Sequence, residues 1–136
     1  VRARERGSMS VFTVLFSVVV FLLAGLLVDG GAAINARLRA ADVAEQAARA
    51  GADQVDVESL RAGGEVRLLG EDQVCARAGE IVAAQGGDGV ALGRCQVEAT
   101  QVTVEVSVRW TAFFLGAFGF PGSEMRGEAT AAPEGR

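Results

Sequence analysis

The sequence has no histidine and no tyrosine, and all 13 of its basic residues are arginine, so lysine is missing as well. These absences remove the commonest general base, the usual zinc-binding imidazole, and the lysine of Schiff-base or phosphate-loop chemistry. An enzyme is disfavoured before any motif is considered. No catalytic, cofactor-binding or metal-binding residue is assigned, and no small-molecule substrate is expected. Excess positive charge is also lacking: from Asp29 onward 10 arginines stand against 16 acids. A nucleic-acid partner would require a basic face, so none is expected.

What the chain does have is one long apolar run. Met9 to Val28, MSVFTVLFSVVVFLLAGLLV, carries no charge. At about 1.5 Å per residue, a helix of this length matches the hydrocarbon thickness of a bilayer. Its polar side chains are Ser10, Thr13 and Ser17, whose hydroxyls can bond back to the helix's own carbonyls. Arg2, Arg4 and Arg6 precede the run, with Glu5 the only acid among them, and Asp29 follows it. Cationic residues on the N-terminal flank predict an N-terminus in the cytoplasm and a C-terminal part outside. A cleaved secretory signal competes with this reading, but its apolar core spans roughly 7–15 residues and ends in a small-x-small site. Here the run is longer, and Gly31 to Ala33 lie beyond Asp29 inside a helical pattern. A retained anchor is the reading adopted.

Past the anchor, Gly30-Gly31 predicts a weak point or kink. Helical periodicity resumes over Ala32 to Asp53, with Asn35, Arg39, Asp42, Gln46, Arg49 and Asp53 along one side. Ala36, Ala40, Ala44, Ala47 and Gly51 form the opposite, small-residue face. Such a face admits another backbone closely, either a head domain or a neighbouring helix, and it is assigned here as a helix-association face. Glu45 and Arg49 are spaced for an i,i+4 pair. Residues 54–70 read as a loop with a short strand at Val66 to Leu69. Asp53, Asp56 and Glu58 read as a solvated acidic surface, since they lack the glycine and terminal glutamate of a calcium loop.

A second helix is predicted over Asp72 to Gln85, stopped by Gly86-Gly87, with Val74, Cys75, Ala78, Ile81 and Val82 on its apolar side. Alternation then takes over. Cys95, Val97 and Ala99, followed by Val102, Val104, Val106, Val108 and Trp110, define strands with one wet face. A turn at Thr100-Gln101 would pair Ala99 with Val102, Val97 with Val104 and Cys95 with Val106. The segment AFFLGAFGFPGS, Ala112 to Ser123, holds Phe113, Phe114, Leu115, Phe118 and Phe120. It is too short to cross a bilayer, and it could pack across the sheet, touch the outer leaflet or meet a partner; core packing is the default. A last strand places Met125, Gly127, Ala129 and Ala131 on one face. With both cysteines facing one interface, Cys75–Cys95 is expected to be a disulfide worth about 3 kcal/mol. Two free thiols would be the reading for a cytoplasmic head.

Taken together, the expected fold is α+β and pilin-like. A long N-terminal transmembrane helix continues into a soluble helix, and a second helix packs on a three-stranded antiparallel sheet. The expected segments are a cytoplasmic basic leader (1–8), the transmembrane helix (9–28), its extracytoplasmic continuation (29–53) and a small α+β head (54–136).

The stretches RERGSMSVFTVLF, GLLVDGG and ARLRAADVAEQAARAGA, with VTVEVSVRW and RGEATAAPEG near the end, resemble the TadE/TadG-like pilus-assembly proteins of actinobacteria. That resemblance implies a single-pass, non-catalytic minor or accessory subunit of an Flp (tight-adherence) pilus or related secretion machine. Its partners would be membrane lipid and other pilus-assembly or pilin-like subunits. The resemblance also implies a candidate prepilin-type cut between Gly7 and Ser8. The family pattern then calls for glutamate at the fifth position after the cut, where this chain has Phe12. This departure argues against the repeating major subunit and for a membrane-resident accessory or initiating one. The rival reading is a membrane-tethered extracytoplasmic binding or envelope-stabilising protein unrelated to pili.

Overall fold

The computed structural model describes residues 2–133 except 56–60, 65–66 and 99, and side chains from Gly7 onward. The elements in order are helix α1 (Arg2–Ala52), helix α2 (Glu71–Gly86), strand β1 (Val90–Glu98), strand β2 (Gln101–Thr111), a 3₁₀ turn (Leu115–Phe118) and strand β3 (Gly122–Ala131). The strands form one sheet in the order β1-β2-β3. The chain divides into two compact units. One comprises residues 1–32 and 111–122, and the other residues 33–110 and 123–136. The helix from Ala33 onward counts with the sheet, and the phenylalanine-rich segment counts with the apolar helix.

In the second unit the alanine-rich part of α1 supplies most of the helical side of the core. Ala36, Ala40, Val43, Ala44, Ala47, Ala48 and Ala52 are buried together with Val74, Ala78 and Val82 of α2 and Val102, Val104, Val106 and Val108 of β2. Each fully buried valine contributes roughly 1.5–3 kcal/mol. The small helical residues matter for distance. A Cβ at Gly127 of β3 would stand 2.3 Å from the Ala41 nitrogen and 2.5 Å from the Ala40 carbonyl carbon, so strand and helix backbones touch there. A Cβ at Gly51 would meet Val74 Cγ1 at 3.1 Å and Val102 Cγ1 at 3.4 Å.

β1 and β2 are antiparallel, with Val97 opposite Val102, Cys95 opposite Val104, Leu92 opposite Val106 and Val90 opposite Val108. This differs from the expected register by two residues. Because side chains alternate with a period of two, that shift keeps the same set of residues on the core face. Glu98 pairs with Gln101, so the connection falls at 99–100 rather than Thr100-Gln101. The expected partner of Val102, Ala99, lies outside the described residues. β1 also starts earlier than the alternation indicated. An irregularity between Leu92 and Cys95 inserts one residue, which lets Leu92 and Cys95 share a face although they are three positions apart. Gly93 sits in it, where a Cβ would meet Glu105 Oε1 at 3.0 Å and its carbonyl oxygen at 3.2 Å. Between β2 and β3, Thr103 and Thr130 share a hydroxyl hydrogen bond at 2.9 Å, and Arg109 lies 4.0 Å from Glu124. Both pairs fit one antiparallel register.

α2 buries Val74, Ala78, Val82 and Gly86 and ends at Gly87, whose φ of 78° favours glycine. The guanidinium of Arg39 donates to the carbonyl of Gly86. Cys75 of α2 and Cys95 of β1 are disulfide-bonded, with Cα atoms 6.0 Å apart. In the connection from α1 to α2, Val55 and Leu68 form an isolated antiparallel bridge, and Leu69 N–H donates to the Gln54 carbonyl at 2.9 Å. The expected strand start at Val66 and the acids Asp56 and Glu58 lie outside the described residues.

Candidate membrane anchor and its loop clasp

In the first unit, side chains from Met9 to Val28 project outward. Phe21 is 72% exposed and Leu27 77%. Leucine, valine and phenylalanine in such numbers on every side of a helix are incompatible with water and suited to hydrocarbon. Among the described residues, one helix is long and apolar enough to cross a membrane, which fits single-pass anchoring. Two of its hydroxyls are bonded within the helix: Thr13 Oγ1 donates to the Met9 carbonyl at 2.9 Å and Ser17 Oγ to the Thr13 carbonyl at 2.8 Å. Phe12 and Phe16, one turn apart, stack with ring centroids 6.1 Å apart. No break occurs at Gly30-Gly31. α1 runs through both, and two glycines at about 1 kcal/mol each do not interrupt helix well supported on either side.

Between Gly7 and Gly30, the two buried positions are Gly25 and Asp29. Four residues apart, they share one helix face, and the segment after β2 covers it. The ring of Phe114 occupies the place of a side chain at residue 25, where a Cβ would fall 2.3 Å from Phe114 Cγ. Asp29, only 1% exposed, accepts three backbone hydrogen bonds. Its Oδ1 accepts from the N–H groups of Phe113 (2.9 Å) and Phe114 (3.0 Å), and its Oδ2 from that of Leu115 (2.7 Å). These amides open the 3₁₀ turn Leu115–Phe118, and the first N–H groups of a helical turn have no partner of their own. A carboxylate from a distant part of the chain therefore caps it. Burial pushes the Asp29 pKa up, but the three amides together outweigh that and hold the carboxyl below its ordinary 3.8.

The default expectation that the phenylalanine segment packs into the core is thus corrected. The sheet's apolar face is already filled by the alanines of α1 and by α2. Asp29 and Gly25 instead offer the segment an acceptor and a recess. Phe114 and Phe118 meet with their rings tilted at 54° and centroids 5.4 Å apart, while Phe113 (85%) and Phe118 (70%) remain exposed.

The other sequence-predicted site residues are also placed. Ala36, Ala40, Ala44, Ala47 and Gly51 line the interior of the second unit. These residues therefore pack against the protein's own sheet and α2. Gly7 and Ser8 are exposed helical residues of α1. Among the described residues, no group of three or more His, Cys, Asp and Glu is placed to hold a metal ion. Gly25, Asp29 and Phe114 form a set with little signature in the sequence. Their signal is a glycine four residues before the first acid after an apolar run, which puts both on one face.

Residues 7–54 match the Tad family, described as Flp pilus-assembly TadE/G-like. The matched region contains the apolar helix with Gly25 and Asp29, and it closes two residues past the end of α1. No match was found among curated proteins or among solved structures.

Proposed function

We propose that this protein is an accessory or minor, non-catalytic subunit of an Flp/Tad pilus-assembly or related secretion machine. The carrying observation is that the TadE/G-like match falls on the one helix suited to a membrane. In this reading the basic N-terminus is cytoplasmic and the disulfide-bearing unit lies outside, where a Cys75–Cys95 bridge persists. Association with sibling subunits uses apolar side chains that α1 leaves uncovered. These include Ile34 (61% exposed) and Leu38 (63%), one turn apart beyond the lipid-matched run.

A photo-crosslinking amino acid at Ile34 or Leu38, at native expression, tests this. Adducts with other pilus-assembly subunits are the expected result, and monomer alone would defeat it. Protease added outside a permeabilised envelope should digest residues beyond Asp29; full protection in the cytosol would reverse the orientation. The alternative, a tethered envelope protein unrelated to pili, rests on the exposed phenylalanines. A gene neighbourhood without a secretion ATPase or prepilin peptidase would favour it.

A further inference from the structure

We propose that the segment 112–121 is a second membrane contact, a phenylalanine loop immersed in the leaflet at the C-terminal end of the α1 span. The proposal rests on the reading of 9–28 as a span. Three observations carry it. The first is position: the ring of Phe114 lies on Gly25, which at ~1.5 Å per residue is about 4.5 Å inside the end of the apolar run at Val28. The loop therefore begins at lipid depth.

The second is composition. From Ala112 to Gly122 no side chain is charged or polar, and Phe113 and Phe118 are 85% and 70% exposed. Rings displayed beside an apolar helix extend its lipid-facing surface rather than forming an isolated patch in water.

The third is the backbone. Irregular chain enters a low-dielectric region only when its amides are satisfied internally. Here the N–H groups of Phe113, Phe114 and Leu115 go to Asp29. Those of Ala112, Ala117, Gly119 and Phe120 go to the carbonyls of Pro121, Phe114, Gly116 and Leu115. Pro121 has no N–H to satisfy.

The test is photolabelling of the full chain, reconstituted in phosphatidylcholine–phosphatidylglycerol vesicles that carry a carbene-generating acyl chain. Trypsin then separates the span peptide (7–37) from the loop peptide (110–126). Label on both is expected, and the double variant Phe113→Ser, Phe118→Ser should lose label from 110–126 while keeping it on 7–37. Label on 7–37 alone in the unaltered chain overturns the loop proposal and leaves the span intact. Label on neither removes the span reading as well. Label on the loop peptide that persists undiminished in the double variant also counts against it, since the phenylalanines would not be the contact. Because the first arm uses the unaltered protein, misfolding of the variant cannot mask the result.

Discussion

Phe114 fills the space that a side chain at residue 25 would take, so Gly25 and Phe114 act as a recess and its plug within one unit. Gly25→Leu should expel the ring and expose the loop. Overpacking of this kind costs about 1–3 kcal/mol. The check is limited proteolysis in detergent, with faster cutting at 113–120 in the variant than in the parent.

Asp29→Asn replaces one acceptor oxygen with a donating NH₂ that faces the N–H groups of Phe113–Leu115. Hydrogen exchange at these three amides should accelerate, while exchange in β2 should stay unchanged. If protection at 113–115 were retained, the carboxylate would not be what holds the loop.

The pH dependence follows from the same contact. The Asp29 carboxyl is held below its ordinary 3.8 in the folded protein. The stabilisation is therefore fully present above that ordinary value and is lost as pH falls through the lowered folded value. Amide protection at 113–115 should persist at neutral pH and fade only in strong acid. The Asp29→Asn variant should show no such acid transition at these amides.

Reduction of Cys75–Cys95, or Cys75→Ser with Cys95→Ser, releases a closed loop with a sequence separation of 20. On the chain-entropy account this costs about 3 kcal/mol. Denaturant unfolding of the oxidised and reduced protein, followed by far-UV circular dichroism, measures it.

Two glycine positions should respond in opposite directions. At Gly127 a methyl group collides with the α1 backbone at 2.3 Å, so Gly127→Ala should destabilise the protein by about 1–3 kcal/mol or more. At Gly30 there is nothing within 4 Å, so Gly30→Ala should stabilise the helix by roughly 1 kcal/mol. Melting temperatures of the two variants in the same detergent should fall on either side of the parent.

Elements with a repeating pattern were legible in the residues. The apolar run, the α2 face of Val74, Ala78 and Val82, and the valine alternation of β2 each announce a period and a buried side. The strand register was not legible, because a two-residue shift preserves every inward side chain and only hydrogen-bond geometry distinguishes the alternatives. The bulge at Gly93 escaped for a related reason, since it breaks the alternation it would be read from. The alanine face was visible but its occupant was not: small residues state how closely something approaches, not what approaches. The Asp29 clasp joins positions 84–86 residues apart, and no local pattern reports a contact of that span.

That separation sets an order of events during synthesis. The hydrophobic helix leaves the ribosome and can enter the bilayer while Phe113–Leu115 have yet to be translated. Until they arrive the aspartate at its boundary must be hydrated, and only once they have been made does it exchange water for three amides. A segment able to insert early thus waits for a partner 84–86 residues further along before it reaches its final bonding.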